Sequence, residues 1–171
     1  MKIVVLNGSM SVGGNAAALA EAFEAGASQA GHEVKVIKLK GLGIEGCRAC
    51  EYCHTKGEGQ CIIKDDMAQI APDLNEADMV VFCSPVHYFG FTGLMQSVIT
   101  RFYAAGKPAK ATKYALLLSS MSPGVYAGIE AQYELMLNYF QAENVGVFEY
   151  YGPANKSDEA LEEVRNFAAS L

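Results

Sequence analysis

A chain of 171 residues, 51% hydrophobic and 19% charged, is long enough to bury the core of one domain, and it contains no apolar run of about eighteen or more residues, the length a membrane-spanning helix needs. Its 13 Lys and Arg against 19 Asp and Glu leave a formal charge of −6, and the basic residues are scattered, which excludes the clustered cationic face that nucleic acid requires. The amino terminus runs directly into an apolar strand without the features of an export signal, so a single cytoplasmic domain over 1–171 is expected, with thiols kept reduced.

"KIVVLN", residues 2–7, is a nearly continuous apolar run ended by Gly8 and Ser9, as in a strand buried on both faces. The alanine-rich stretch 15–30 places Leu19, Phe23 and Ala27 on one helical face, with Gly31 as its stop. "EVKVIKL" alternates apolar and charged residues and reads as a strand near a sheet edge. Residues 40–63 show no regular period, a length of loop that compact domains rarely hold without a function. A helix is expected over "DDMAQIAPDLNEA", bent or shortened at Pro72, followed by a strand at "DMVVFCS" and a helix at "GLMQSVITRFYAAG". "KYALLLSS" supplies the fourth strand, and the next helix carries a stripe of Ile129, Tyr133, Met136 and Phe140. "NVGVFEYYG" and "DEALEEVRNFAASL" complete the alternation, and no repeat or linker interrupts it.

Five strands alternating with helices predict an α/β fold, a doubly wound parallel sheet with helices on both faces. The first and third strands are the most apolar and belong at the centre, which favours the flavodoxin-like order 2-1-3-4-5. Ligands of such a sheet sit beyond the carboxyl ends of the strands, near the switch point between strands one and three.

Three loops meet that edge. "NGSMSVGGNAA" is no Walker loop, because Gly14 and Asn15 stand where lysine and Ser/Thr are needed, and it lacks G-x-G-x-x-G. Its Ser9 and Ser11 hydroxyls and the amides at the helix start can hold a terminal phosphate without a basic residue, or it is an ordinary turn capped by Asn15. "SPVHYFGFTG" offers Val86, His87, Tyr88 and Phe89 to line a flat ligand, with Pro85 and Gly90 shaping the backbone. "SSMSPGVYAG" adds hydroxyl and backbone groups of Ser119, Ser120 and Met121 for a polar ring edge. Each loop alone also reads as a plain turn, and their convergence is what points to a binding site.

The long loop holds four of the five cysteines in the pattern C-x2-C-x2-C-x7-C, Cys47, Cys50, Cys53 and Cys61. Such spacing suits an iron–sulfur cluster or a closed zinc site, and a third reading leaves thiols that only pack or react. Cys83, in an apolar strand, reads as a small buried hydrophobe.

The first loop resembles the "GSPRxxGNT" phosphate loop of NAD(P)H-dependent FMN reductases, and "SPVHYFGFTGLMQSVITRF" resembles their "SPVYxGxxSxxLKxFxDR" segment. Ser11 replaces the usual arginine, Ala16 the usual Thr or Ser, His87 the usual tyrosine, and Thr100 the aspartate before Arg101. The resemblance implies that Ser9, Ser11, Gly14, Asn15 and Ala16 cradle the FMN phosphate, and that residues 85–90 and 119–121 surround the isoalloxazine.

The cysteine loop is similar to that of the iron–sulfur flavoproteins within this family, as is "GQCIIKDDM" after it, which implies a 4Fe-4S cluster. Three thiolates three residues apart can then reach three corners of a cubane, with the fourth arriving past the glycine turn "KGEG". The expected protein is an FMN-dependent oxidoreductase or electron carrier in which the flavin, not a catalytic side chain, does the chemistry. NAD(P)H or a ferredoxin-like protein would supply electrons to a small-molecule acceptor, and a homodimer or homotetramer is implied. The rival is a zinc-stapled binding or regulatory module without flavin.

Overall fold

The opening apolar run forms strand β1, Lys2–Asn7, with five of its six residues buried, in a computed structural model that describes residues 1–171. It is followed by α1 (Asn15–Gln29), β2 (Glu33–Lys38), the one-turn helix α2 (Tyr52–Thr55), α3 (Met67–Glu76), β3 (Met79–Pro85) and α4 (Gly93–Arg101). Then come β4 (Lys113–Ser120), α5 (Ala127–Phe140), β5 (Glu143–Tyr151) and α6 (Asp158–Ala169), with 3-10 turns at Phe102–Ala104 and Gly152–Lys156.

All strand pairs are parallel, and the order is β2-β1-β3-β4-β5, the flavodoxin-like arrangement expected. β3 and β4 are buried almost throughout, whereas β2 alternates because it lies at an edge. On one face α3, α4 and α5 cover a core centred on Phe82, whose ring meets Phe91, Phe102, Tyr114 and Tyr133. On the other face α1 and α6 pack Leu19, Phe23, Val164 and Ala168 against Ile3, Val5 and Val81.

Two elements differ from the sequence expectation. Pro72 lies inside α3 without ending it, leaving the Ala68 carbonyl without its usual helical donor. The buried stripe of α5 is Ile129, Tyr133, Leu137 and Phe140; Met136 is only partly buried at its margin.

The tightest helix contact is that of α1 with α6. A Cβ on Gly26 would lie 2.1 Å from the carbonyl oxygen of Arg165, so only glycine lets the two backbones approach this closely. Gly26→Ala is expected to lower stability by about 1–3 kcal/mol through overpacking, even though alanine is the better helix former. A fall in the urea midpoint checks this.

Candidate functional site

β1 and β3 pair up to Asn7 and Cys83, and the chain then diverges, the Gly8 N–H donating to the Cys83 carbonyl at 2.7 Å. A side chain at Gly8 would meet the Thr92 and Ser84 hydroxyls at 3.0 and 3.2 Å, so this turn needs glycine's small size. The buried Asn7 carboxamide accepts the Ser9 N–H at 2.9 Å, fixing the direction in which the loop leaves the sheet. Ser9 Oγ donates to the Ser11 carbonyl at 3.1 Å, curling the loop into an arc.

Gly14, not Asn15, occupies the cap position of α1, and no side chain caps the helix. The amides of its first turn are therefore left for a ligand. A Cβ at Gly14 would lie 2.5 Å from Ser9 Oγ, so glycine is what lets the helix start pack directly against the Ser9 hydroxyl. Ala16 is buried beneath it, and its carbonyl accepts the Cys83 S–H at 2.9 Å. Burial pushes the Cys83 thiol far up, which makes it the packed, unreactive cysteine expected.

A group not anticipated from sequence also reaches this loop: Lys156, in the 3-10 turn after β5, donates to the Gly13 carbonyl. The first loop thus has an ammonium beside it although it contains no basic residue of its own.

In the β3 loop, His87 and Gly90 exchange backbone hydrogen bonds at 2.9 and 3.1 Å around Tyr88 and Phe89, whose φ values are 52° and 67°. This is the geometry of a type I′ turn, which ordinarily takes Asn and Gly. Two aromatic residues there hold a strained conformation, of order 1–3 kcal/mol each. Their rings, 98% and 59% exposed, stand edge to face at the carboxyl end of the sheet. Val86 N–H donates to the Ser119 carbonyl at 2.8 Å and joins this loop to the end of β4.

At the β4 exit Ser119 and Ser120 are buried and Met121 is exposed. Ser120 is engaged internally: its hydroxyl meets Tyr126 and the Ser122 carbonyl, and its backbone N–H and C=O both pair with the Asn155 side chain. It anchors the loop, and the hydroxyl expected at a ring edge is already in use.

The cysteine loop is closed at its base by a buried ion pair. Arg101 Nη1 donates to Asp65 Oδ2 at 2.6 Å and to the Glu45 carbonyl at 3.0 Å, and Nη2 reaches the Ile63 carbonyl. The two side chains are 3% and 9% exposed. Asp65 also accepts the Glu45 and Met67 amides, while Asp66 and Gly43 bond to each other. Thr100, where the family pattern has aspartate, accepts the Cys47 N–H at 3.1 Å. Both stems of the loop are therefore tied to α4.

Within the loop, Cys47, Cys50, Cys53 and Cys61 line one small hollow together with Arg48 and Arg101. Ala49 and Glu51 flank Cys50 in left-handed conformations, and the Ala49 N–H points to Cys47 Sγ at 3.4 Å. The hollow, however, has room for only about 10 Å³, and no three His, Cys, Asp or Glu side chains converge as a metal site. The expected 4Fe-4S ligand set is brought to one hollow, with Cys47 and Cys50 exposed and Cys53 buried, without closing into a metal site. A zinc ion would need its sulfurs roughly 2.3 Å from one point.

A doubly wound sheet of this order, with an uncapped helix start and exposed aromatic rings at its switch point, is a flavodoxin-like fold. Residues 1–159 match the NADPH-dependent FMN reductase family, and the chain belongs to that family. Among its relatives, an iron-sulfur flavoprotein of Archaeoglobus fulgidus is 30% identical over 139 residues, 80% of this chain and 65% of the relative. A second protein of that name and organism is 33% identical over 130 residues, 75% of this chain and 56% of the relative. The chain thus matches less than two thirds of the length of these relatives. Among solved structures, RosB with bound 8-demethyl-8-formylriboflavin-5'-phosphate superposes with a TM-score of 0.78 at 14% identity, covering 99% of this chain and 76% of that one, a likeness of fold.

Two outcomes follow from this geometry. Gly14→Ala, conformationally allowed at φ −64°, is expected to weaken FMN binding by about tenfold or more while leaving the fold intact, as read by flavin fluorescence titration and circular dichroism. For the clamp, burial opposes ionisation of Asp65, but the Arg101 hydrogen bond and the Glu45 and Met67 amides outweigh it and hold the carboxyl below the ordinary aspartate range. The resulting stabilisation is present above the unfolded pKa of about 3.9 and disappears as pH falls through the lower folded value. Asp65→Asn should cost about 3–5 kcal/mol at pH 7, because it strands a buried guanidinium, and should flatten the loss of stability below about pH 4. Urea titrations at neutral and acid pH measure both effects.

Proposed function

We propose that this protein oxidises NAD(P)H through FMN bound across the three carboxyl-edge loops and passes the electrons to a small-molecule acceptor or a ferredoxin-like protein. The observation that carries this reading is the uncapped start of α1, whose free amides stand beside the Ser9 and Ser11 arc and Lys156, donors suited to a phosphate. The rings of Tyr88 and Phe89, held outward by a strained turn, support an isoalloxazine bound against residues 85–90, with Ser119 and Met121 on its other side. FMN supplies the electron chemistry when bound, and the chain's part is to bind, orient and shield it. No side chain is assigned as acid or base. No helix of the chain is long and apolar enough to cross a membrane, and we assign the protein to the cytoplasm, working as a homo-oligomer.

For the cysteine loop the reading is a 4Fe-4S cluster held by Cys47, Cys50, Cys53 and Cys61. The names of the archaeal relatives support it, as do the four cysteines that line one hollow and the amide directed at Cys47. The zinc module without flavin is disfavoured by the family membership.

Protein purified without oxygen and then denatured should release FMN rather than FAD on chromatography. It should carry about four irons and four sulfides per chain, and Cys50→Ser should remove the iron while sparing the flavin. Recovery of FAD would overturn the flavin assignment. One tightly held zinc, or no metal, would overturn the cluster and leave the flavin reading standing.

A further inference from the structure

A second cavity, remote from the flavin loops, lies between α3, the turn at residues 102–108 and the glycine turn that ends the cysteine loop. We infer that it binds a small organic anion with a flat apolar body. This inference does not rest on the flavin assignment.

The cavity holds about 360 Å³, within the range of small-molecule sites. Its walls are Met67, Leu74, Phe102 and Pro108, with Pro72 on the outer side. The charge at its rim runs against the rest of the protein. In a chain of net charge −6, Lys64 and Lys107 line this cavity and no carboxylate does. Lys64 has no ion-pair partner, and Lys107 is held in place by donating to the Phe140 carbonyl at 2.6 Å.

Arg101 lines the same cavity as a third cation, its two terminal nitrogens held in the clamp and its Nε–H buried within the packed wall. The Gln60 and Asn75 amides add neutral hydrogen-bonding groups. An apolar slot lined by cations and by no carboxylate fits an aromatic carboxylate or sulfonate better than a neutral compound or a free phosphate. The occupant would lie against Cys61, the last thiol of the loop.

The test uses the FMN-loaded full chain, prepared without oxygen, with 2-naphthoate as probe and 2-naphthalenemethanol as its neutral counterpart. Calorimetry should show saturable one-to-one binding of naphthoate, and the neutral compound and Lys64→Glu should each weaken it by about tenfold. Ala71→Trp, which fills the slot from α3, should abolish it. With methyl-labelled methionine, naphthoate should shift the Met67 resonance and leave Met121, at the flavin edge, unmoved. Equal binding of the neutral compound, no saturation up to about 1 mM, or a shift of Met121 without Met67 would overturn the proposal. Displacement of FMN by naphthoate would instead place the probe at the flavin loops and count against a separate site. Lys64 is a surface residue, so its variant tests the charge requirement without disturbing the core.

Discussion

The parallel pairing of β1 with β3 is the constraint on which the rest of the molecule depends. Because the two central strands receive their connections from opposite faces, the chain must part at Asn7 and Cys83, and a crevice opens where it does. Gly8 makes the parting tight, Asn7 fixes its direction, and Gly14 lets the helix start close against Ser9. The aromatic turn after β3 and the anchored exit of β4 take up their places only because the register carries Pro85 beside Ser119. Site and sheet are products of the same backbone geometry.

Much of this was legible in the sequence, and the reason is burial. β1 and β4 are shielded on both faces, so they read as unbroken apolar runs, and their bounds fell where the pattern placed them. β2 betrayed its edge position by alternation. Contacts that depend on distant chain segments were not legible. Nothing in "GPANK" announces that Lys156 reaches Gly13, which lies 143 residues away in sequence. Nor does "SSMS" reveal that Asn155 and Tyr126 consume the polar groups of Ser120. The helix α2 is four residues long, too short for any period to register.

The cysteine loop separates what spacing can and cannot say. Spacing brought four thiols to one place, and they do line one hollow. What holds them there is the Asp65–Arg101 pair together with Thr100, residues outside the cysteine pattern. The departure from the family pattern at Thr100 has a physical use in this chain: a hydroxyl can accept the Cys47 amide while donating to Ser97, a dual role that a carboxylate could not fill.

Fastening the two stems independently of whatever lies between them makes that segment modular. With its ends held together by Arg101, the loop's entropic cost grows only with the logarithm of its length, about 0.6 kcal/mol for each doubling. Residues can then be gained or lost inside it with little effect on the sheet. A lineage built on this frame is free to vary the number and spacing of its cysteines, and with them the chemistry of the loop, while the carboxyl edge of the sheet is inherited unchanged.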